Sequence, residues 1–195
     1  MKIGVDLDEV VLELLDSVIE LYYQKTGKRV PRENFVTYDW WEVWGISKDE
    51  AISIAHELHA KNNVHDEKPV DKAIESISIL IKEGDEIFII TARPLKYKKN
   101  VEDWIKHYFP DSPIQVIIAG DLYGNTKKKA EICNEVGIKA ILEDQKTIAL
   151  DCANKGIKVI LFDKPWNKGL EHENIIRVCG WLEAMKKIKS MKSLG

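Results

Sequence analysis

An α/β fold, a Rossmann-like parallel sheet with helices on both faces, is predicted for this chain by three observations. Short continuous apolar runs recur along it, stretches of helical period separate them, and glycines close those stretches. The runs are "KIGVDLD" (2–8), "EIFIITA" (86–92), "IQVIIA" (114–119), "KAILED" (139–144) and "KVILFD" (158–163). Near-continuous β-branched runs without polar alternation mark strands covered on both faces. Strand, helix, glycine, strand is the rhythm of a parallel sheet.

Taken in order, the first strand is followed by the one failure of that rhythm. From Val11 to Lys68 no buried strand is predicted. An amphipathic helix carries Val11, Leu14, Leu15, Val18, Ile19 and Tyr22 on one face, and a loop with Pro31 follows. A second helix opens at "SKDE", where Ser47 and Glu50 have the spacing of a capping box. Between the two sits the aromatic segment "YDWWEVW". This predicts a helical cap, residues 11–68, inserted into a core made of 1–10 and 69–195. The core resumes with a helix from near Val70 whose apolar face is Val70, Ala73, Ile74, Ile77, Leu80 and Ile81, stopped by Gly84. "NTKKKAEICNEVG" and "KTIALDCANKG" repeat the pattern, ending on Gly137 and Gly156. A short sixth strand is expected near Ile175–Val178, then a C-terminal helix whose lysine-rich tail frays after Met185.

Bulk composition bounds the function. The 195 residues carry a formal net charge of −3, which gives no broad footprint for nucleic acid or a membrane surface. Cys133, Cys152 and Cys179 are odd in number and widely spaced, as expected of reduced thiols rather than a disulfide framework or zinc site. No apolar run approaches membrane-spanning length, and Met1 leads directly into a strand with no signal-peptide pattern. A cytoplasmic protein is expected. The sequence leaves its oligomeric state open.

In open parallel sheets ligands bind beyond the carboxyl ends of the strands, so what each strand delivers there matters most. The first delivers Asp6 and Asp8, the second Thr91, Ala92 and Arg93, and the fourth Glu143 and Asp144. After the third come the loop "GDLYGN" and then Lys127, Lys128 and Lys129, opening a helix. Carboxylates gathered without a counter-charge would retain protons at neutral pH. A hard cation such as Mg²⁺ removes that conflict, because it takes oxygen ligands from carboxylates and substrate phosphate. A small phosphorylated substrate is therefore expected. Asp6 could then attack phosphorus to form an aspartyl-phosphate, while Asp8, pointing elsewhere in an extended chain, protonates the leaving oxygen and later activates water. Thr91 and a lysine would hold the phosphoryl oxygens as charge spreads over them.

With those residues in place, the chain resembles the haloacid dehalogenase-like (HAD) superfamily of phosphatases. "DLDEVV" is similar to its first motif, "IFIITAR" to its second, a lysine opening a helix to its third, and "AILED" to its fourth. All four occur in order between Met1 and about Asp163. The resemblance implies Asp6 as nucleophile, Asp8 as acid/base, Thr91 as phosphate ligand, and Asp144 with Glu143 as metal carboxylates. Asp6 and the backbone carbonyl of Asp8 complete the implied Mg²⁺ ligands. The family often has two aspartates in the fourth motif; Glu-Asp here leaves open which carboxylate touches the metal, Asp144 being favoured. "KAEICNEVGIKAILED" is similar to the family's Lys-Ala-Glu helix start and puts Lys129 fourteen residues before Glu143. Lys128 is the rival and Lys127 third. A cap placed straight after the first motif, with "YDWWEVWGIS" and "DKPWNKG", resembles the 5′(3′)-deoxyribonucleotidase-like branch, which implies a nucleoside monophosphate substrate.

Several residues have plainer readings. Arg93 is either a phosphate ligand or one half of an ion pair. Trp40, Trp41 and Trp44 invite stacking on a nucleobase, yet tryptophans in a small cap usually form its core, and Trp41 is taken as the one facing substrate. His56 and His59 stand one helical turn apart with no third metal ligand evident. "PWN" at 165–167 is a substrate-edge loop or a simple turn. Sugar phosphates, a phosphoryl acceptor other than water, and a non-catalytic phosphate-binding or signalling module are the alternatives to a nucleotidase.

Overall fold

The computed structural model describes residues 1–60, 67–120 and 127–193. Six strands form one sheet: β1 (Lys2–Val5), β2 (Glu86–Thr91), β3 (Gln115–Ile118), β4 (Ala140–Glu143), β5 (Lys158–Phe162) and β6 (Ile175–Val178). All pairings are parallel, in the order β3-β2-β1-β4-β5-β6. Each observed strand lies within its apolar run, shortened by one to three residues where the backbone leaves the ladder. The sixth strand is present and pairs with β5, as its sequence suggested.

Period-two alternation divides the strand residues between two cores. Ile3, Val5, Ile87, Ile89, Leu142, Ile160 and Phe162 face one layer, with α4 (Ala73–Lys82), α5 (Lys98–Tyr108) and α8 (Trp181–Ser193). Phe88, Ile90, Ile141, Val159 and Leu161 face the other, with α6 (Lys129–Val136) and α7 (Lys146–Asn154). The glycine at position 4 belongs to this second face. A Cβ there would lie 3.3 Å from Ile141 Cγ1 and Ile90 Cδ1, so glycine lets these side chains close over the central strand where a larger residue would push them back by a few tenths of an ångström.

Between β1 and α4 the chain forms α1 (Leu14–Thr26), α2 (Trp40–Trp44) and α3 (Lys48–Ala60). The capping box at α3 is formed: Glu50 N donates to Ser47 Oγ at 3.2 Å and Ser47 N donates to Glu50 at 2.9 Å. The aromatic segment makes a short helix of its own, where Trp44 stacks on Tyr22 with ring centroids 4.3 Å apart. Two boundaries move. Val11 lies in a tight turn before α1, and Val70 donates to the Val11 carbonyl at 2.9 Å instead of starting α4. Helix α5, which the sequence reading did not name, spans the β2–β3 crossover. The lysine-rich tail does not fray after Met185. Helix α8 continues to Ser193 because Ile188 is buried and Lys192 pairs with Glu83 at 3.0 Å and with Asp85.

Helix α8 also supports the first strand's exit. Trp181 is buried against Phe162, and its Nε1 donates to the Val10 carbonyl at 2.7 Å. Trp181→Ala is expected to cost about 3–5 kcal/mol, measured by urea denaturation. A loss below about 1 kcal/mol would show that this anchor is dispensable.

Candidate active site

The reversal of strand order between β1 and β4 opens a crevice at their carboxyl ends, the usual ligand position in such sheets. Asp6 follows β1 directly and stays in register, its N–H donating to the Leu142 carbonyl at 2.9 Å. Glu143 ends β4, and Asp144 follows it. Lys129 is the first residue of α6. Its ammonium is buried 2.6 Å from Asp6 Oδ1 and 2.9 Å from Glu143 Oε2. The other oxygen of Glu143 accepts N–H bonds from Asp144 (3.1 Å) and Gln145 (3.0 Å), so that side chain is fixed at both ends.

Asp144 is fastened differently. Trp166 Nε1 donates to its Oδ2 at 2.8 Å, and Asn167 Nδ2 donates to its backbone carbonyl at 2.7 Å. "PWN" is thus a short turn that holds the fourth motif in place. The second carboxylate oxygen of Asp144 has no partner among the described residues.

Asp6, Glu143 and Asp144 each offer an oxygen within 4.8 Å of the others, and all three are buried. Burial first, then the neighbouring Glu143, raises the pKa of Asp6 well above the usual carboxylate range, with Lys129 opposing. Burial, Glu143 and Asp6 do the same to Asp144. Three carboxylates against one ammonium leave a deficit of two positive charges, which a divalent cation would fill. All-oxygen donors suit a hard metal. These residues therefore fit a metal of the kind expected.

Asp8 is turned away from this cluster. Arg93 grips its carboxylate, Nη2 to Oδ1 at 2.7 Å and Nε to Oδ1 at 3.1 Å, and reaches Glu67 through Nη2 at 2.7 Å and Nη1 at 3.2 Å. Opposed carboxylates hold the buried guanidinium protonated, its pKa raised despite desolvation. Of the two readings of Arg93, the described residues show the ion pair, with two carboxylates using both edges of its fork. Thr91 is fully buried at the end of β2, with Oγ1 accepting from Arg93 N at 3.2 Å. Ala92 lines the cleft beside it.

Two expected substrate contacts lie elsewhere. Lys128 is exposed and reaches Asp151 at 3.5 Å, while Lys127 pairs with Glu135 at 2.6 Å. At a helix start, successive side chains rotate by about 100°, so a single lysine of the three enters the site. Trp41 packs on the hydrophobic core with Lys48 over its ring and does not line the cleft. Tyr38 takes that place. Burial and the carboxylates of Asp144, Asp6 and Asp8 raise its phenol well above the ordinary value, so it remains an O–H donor. It stood inside the quoted aromatic segment, but the tryptophans drew attention from it. "GDLYGN" lies, beyond Gly120, outside the described residues.

Glu9 was also missed. Its backbone takes the left-handed region at φ 62°, and its side chain accepts from Leu15 N at the start of α1 (2.8 Å), from Lys164 (3.2 Å) and from Arg32. One buried carboxylate thereby ties the turn after Asp8 to α1, to the Arg32 loop and to the loop after β5. The signal was a third acid directly after the Asp-x-Asp pair, with nothing in the spacing to say what it would meet.

A family model described as "5′ nucleotidase, deoxy (Pyrimidine), cytosolic type C protein" matches residues 1–194. The chain belongs to this family. A "Putative nucleotidase" of Bacillus cereus is 27% identical over 194 residues, covering 94% of this chain and 95% of that one. A nucleotidase of Clostridium acetobutylicum is 24% identical over 124 residues, 63% of this chain and 61% of that protein. Among solved structures, a haloacid dehalogenase-like hydrolase from Streptococcus pneumoniae has a TM-score of 0.66 at 14% identity, covering 96% and 97% of the two chains. CbbY from Rhodobacter sphaeroides, in complex with phosphate, has a TM-score of 0.62 at 16% identity, covering 93% and 95%. The HAD fold and a nucleotidase or phosphatase class of enzyme follow. No helix among the described residues is long and apolar enough to cross a membrane.

Glu9→Ala leaves Lys164 and Arg32 without their shared acid and α1 without a first-turn acceptor. A loss of about 2–3 kcal/mol is expected, read from the urea midpoint. A change under about 0.5 kcal/mol would mean that the network is a surface ornament in solution.

Proposed function

We propose that this chain is a Mg²⁺-dependent phosphomonoesterase that works through an aspartyl-phosphate on Asp6, with a nucleoside monophosphate as substrate. The observation that carries this reading is the buried Lys129 ammonium between Asp6 and Glu143, beside Asp144 at the switch point of the sheet. Asp6, Glu143 and Asp144 would hold the metal, Asp144 through the oxygen that has no partner among the described residues. When bound, the metal would supply positive charge to phosphoryl oxygens and keep the carboxylates ionised.

The chain's own groups then divide the work. Asp6 attacks phosphorus, and its nucleophilic oxygen must leave the ammonium or share it. Lys129 carries a pKa raised by Asp6 and Glu143 despite its burial, so it stays charged and opposes the charge developing on the phosphoryl group. Asp8, oriented by Arg93, moves the proton of the leaving oxygen and later that of water. Thr91 and the loop at Ala92 bound the phosphoryl pocket. Residues 11–68 act as the cap. Among the described residues the cleft beneath it has a volume of about 30 Å³, room for one or two waters and not for a nucleoside. The cap therefore has to move for substrate to enter. A cytoplasmic setting belongs to the same reading, consistent with buried free thiols at Cys133 and Cys152.

The test is a phosphate-release screen over nucleoside 5′- and 3′-monophosphates, sugar phosphates and small phospho-acids, with Mg²⁺ or with EDTA. Turnover should need Mg²⁺ and fall at least about 10³-fold in Asp6→Asn. Equal rates for wild type and Asp6→Asn would remove the covalent mechanism. Preference for a sugar phosphate would keep the mechanism and remove the nucleotidase assignment. In the same assay Lys129→Ala should lose about 10²–10³-fold and Lys128→Ala less than about threefold, since Lys128 makes only an exposed contact. Similar losses for the two would show that α6 does not select one lysine.

A further inference from the structure

Among the described residues around the cleft is a histidine with no part in phosphoryl transfer. His59, near the end of α3, lines the cleft with Asp6, Asp8, Tyr38, Arg93 and Lys129. It is only 6% exposed, and its Nδ1 is buried without a hydrogen-bond partner among the described residues. Its position is held from outside: Asn100 Nδ2 donates to its carbonyl at 2.6 Å, and its ring packs on Tyr97 with centroids 5.6 Å apart. An apolar side chain would fill the same space without leaving a buried nitrogen unpaired, which costs about 1–3 kcal/mol. Such a group in a cleft points to a ligand.

Burial and the Arg93 guanidinium lower its pKa to about 3, so the ring is neutral. The neighbouring Arg93 guanidinium repels a metal ion from the ring, and a neutral ring offers a phosphoryl dianion no charge. A neutral imidazole carries one N–H and one lone pair, so its unpartnered Nδ1 can pair with a polar group of a ligand. We propose that His59 is a specificity residue whose Nδ1, as the ring's N–H, donates to a hydroxyl or carbonyl oxygen on the part of the ester beyond its phosphoryl group. The inference rests on the phosphomonoester reading above.

The experiment compares wild type, His59→Phe and His59→Gln on two kinds of ester. One is the nucleoside monophosphate or sugar phosphate that wild type hydrolyses best; the other is phenyl phosphate, whose leaving group has neither hydroxyl nor carbonyl. His59→Phe should lower kcat/KM for the oxygen-bearing ester about tenfold, mostly through KM, and leave phenyl phosphate within about twofold. His59→Gln, which keeps an N–H donor, should recover most of the loss. Equal losses on both esters would mean a structural role, and no loss on either would mean no contact; each overturns the proposal while the phosphatase reading stands. Wild-type turnover of phenyl phosphate but of no oxygen-bearing ester would instead overturn the substrate reading, and this proposal with it. Absence of any turnover would overturn both.

Discussion

The buried ammonium of Lys129, between Asp6 and Glu143, is the interaction on which the site depends. Without it, three carboxylates would face one another at the end of two adjacent buried strands. Moving such charges out of water is costly unless each has a partner. One lysine meets the need of Glu143 and part of that of Asp6. It leaves Asp144 and the remainder of Asp6 displaced toward the protonated form. A site in this condition has a standing affinity for positive charge. Its shape limits which charge fits, since the donors are all oxygens and lie within one ion's reach.

The fold creates that condition through topology rather than through local sequence. Strands β1 and β4 are adjacent although their paired positions Gly4 and Ile141 lie 137 residues apart, because the intervening crossovers return the chain beside its start. The crossover through α6 brings Lys129 to the same edge. Around this centre, secondary ties fix orientation. Arg93 joins Asp8 to Glu67, Trp166 and Asn167 hold Asp144, and Glu9 links the β1 exit to α1 and to the β5 loop. Each tie joins the strand ends to a segment distant in sequence.

Much of this was legible in the sequence, for definable reasons. Continuous β-branched runs marked five of the six strands, because burial on both faces removes polar alternation, while the sixth, only half-buried, was expected near Ile175–Val178 without such a run. The residues ending those runs gave the acidic cluster, because ligands sit at strand ends in open parallel sheets. What remained hidden was tertiary partnership. Arg93 as a candidate phosphate ligand and as a clamp on Asp8 read identically in one dimension. Trp41 and Tyr38 lie three residues apart, and only the packing of Trp40 and Trp44 into the cap decides which ring reaches the cleft. The acid at position 9 carried no signal of its partners, since Arg32 and Lys164 are remote in sequence. The helical tail through Ser193 was missed because its stabilising contacts, Ile188 in the core and Lys192 on Asp85, are long-range.

The most direct measurement is the thermal midpoint of metal-free protein titrated with Mg²⁺, for wild type and for Asp144→Asn. If the buried carboxylates hold the ion, saturation at a hundred times Kd adds about 2.7 kcal/mol. For a chain of this length that raises the midpoint by about 5–10 °C. In Asp144→Asn the metal-free midpoint should be no lower than that of wild type, because one buried repulsion is gone, and the response to Mg²⁺ should be lost. A wild-type midpoint identical in Mg²⁺ and in EDTA would contradict the claim that this acidic cluster is built around a cation.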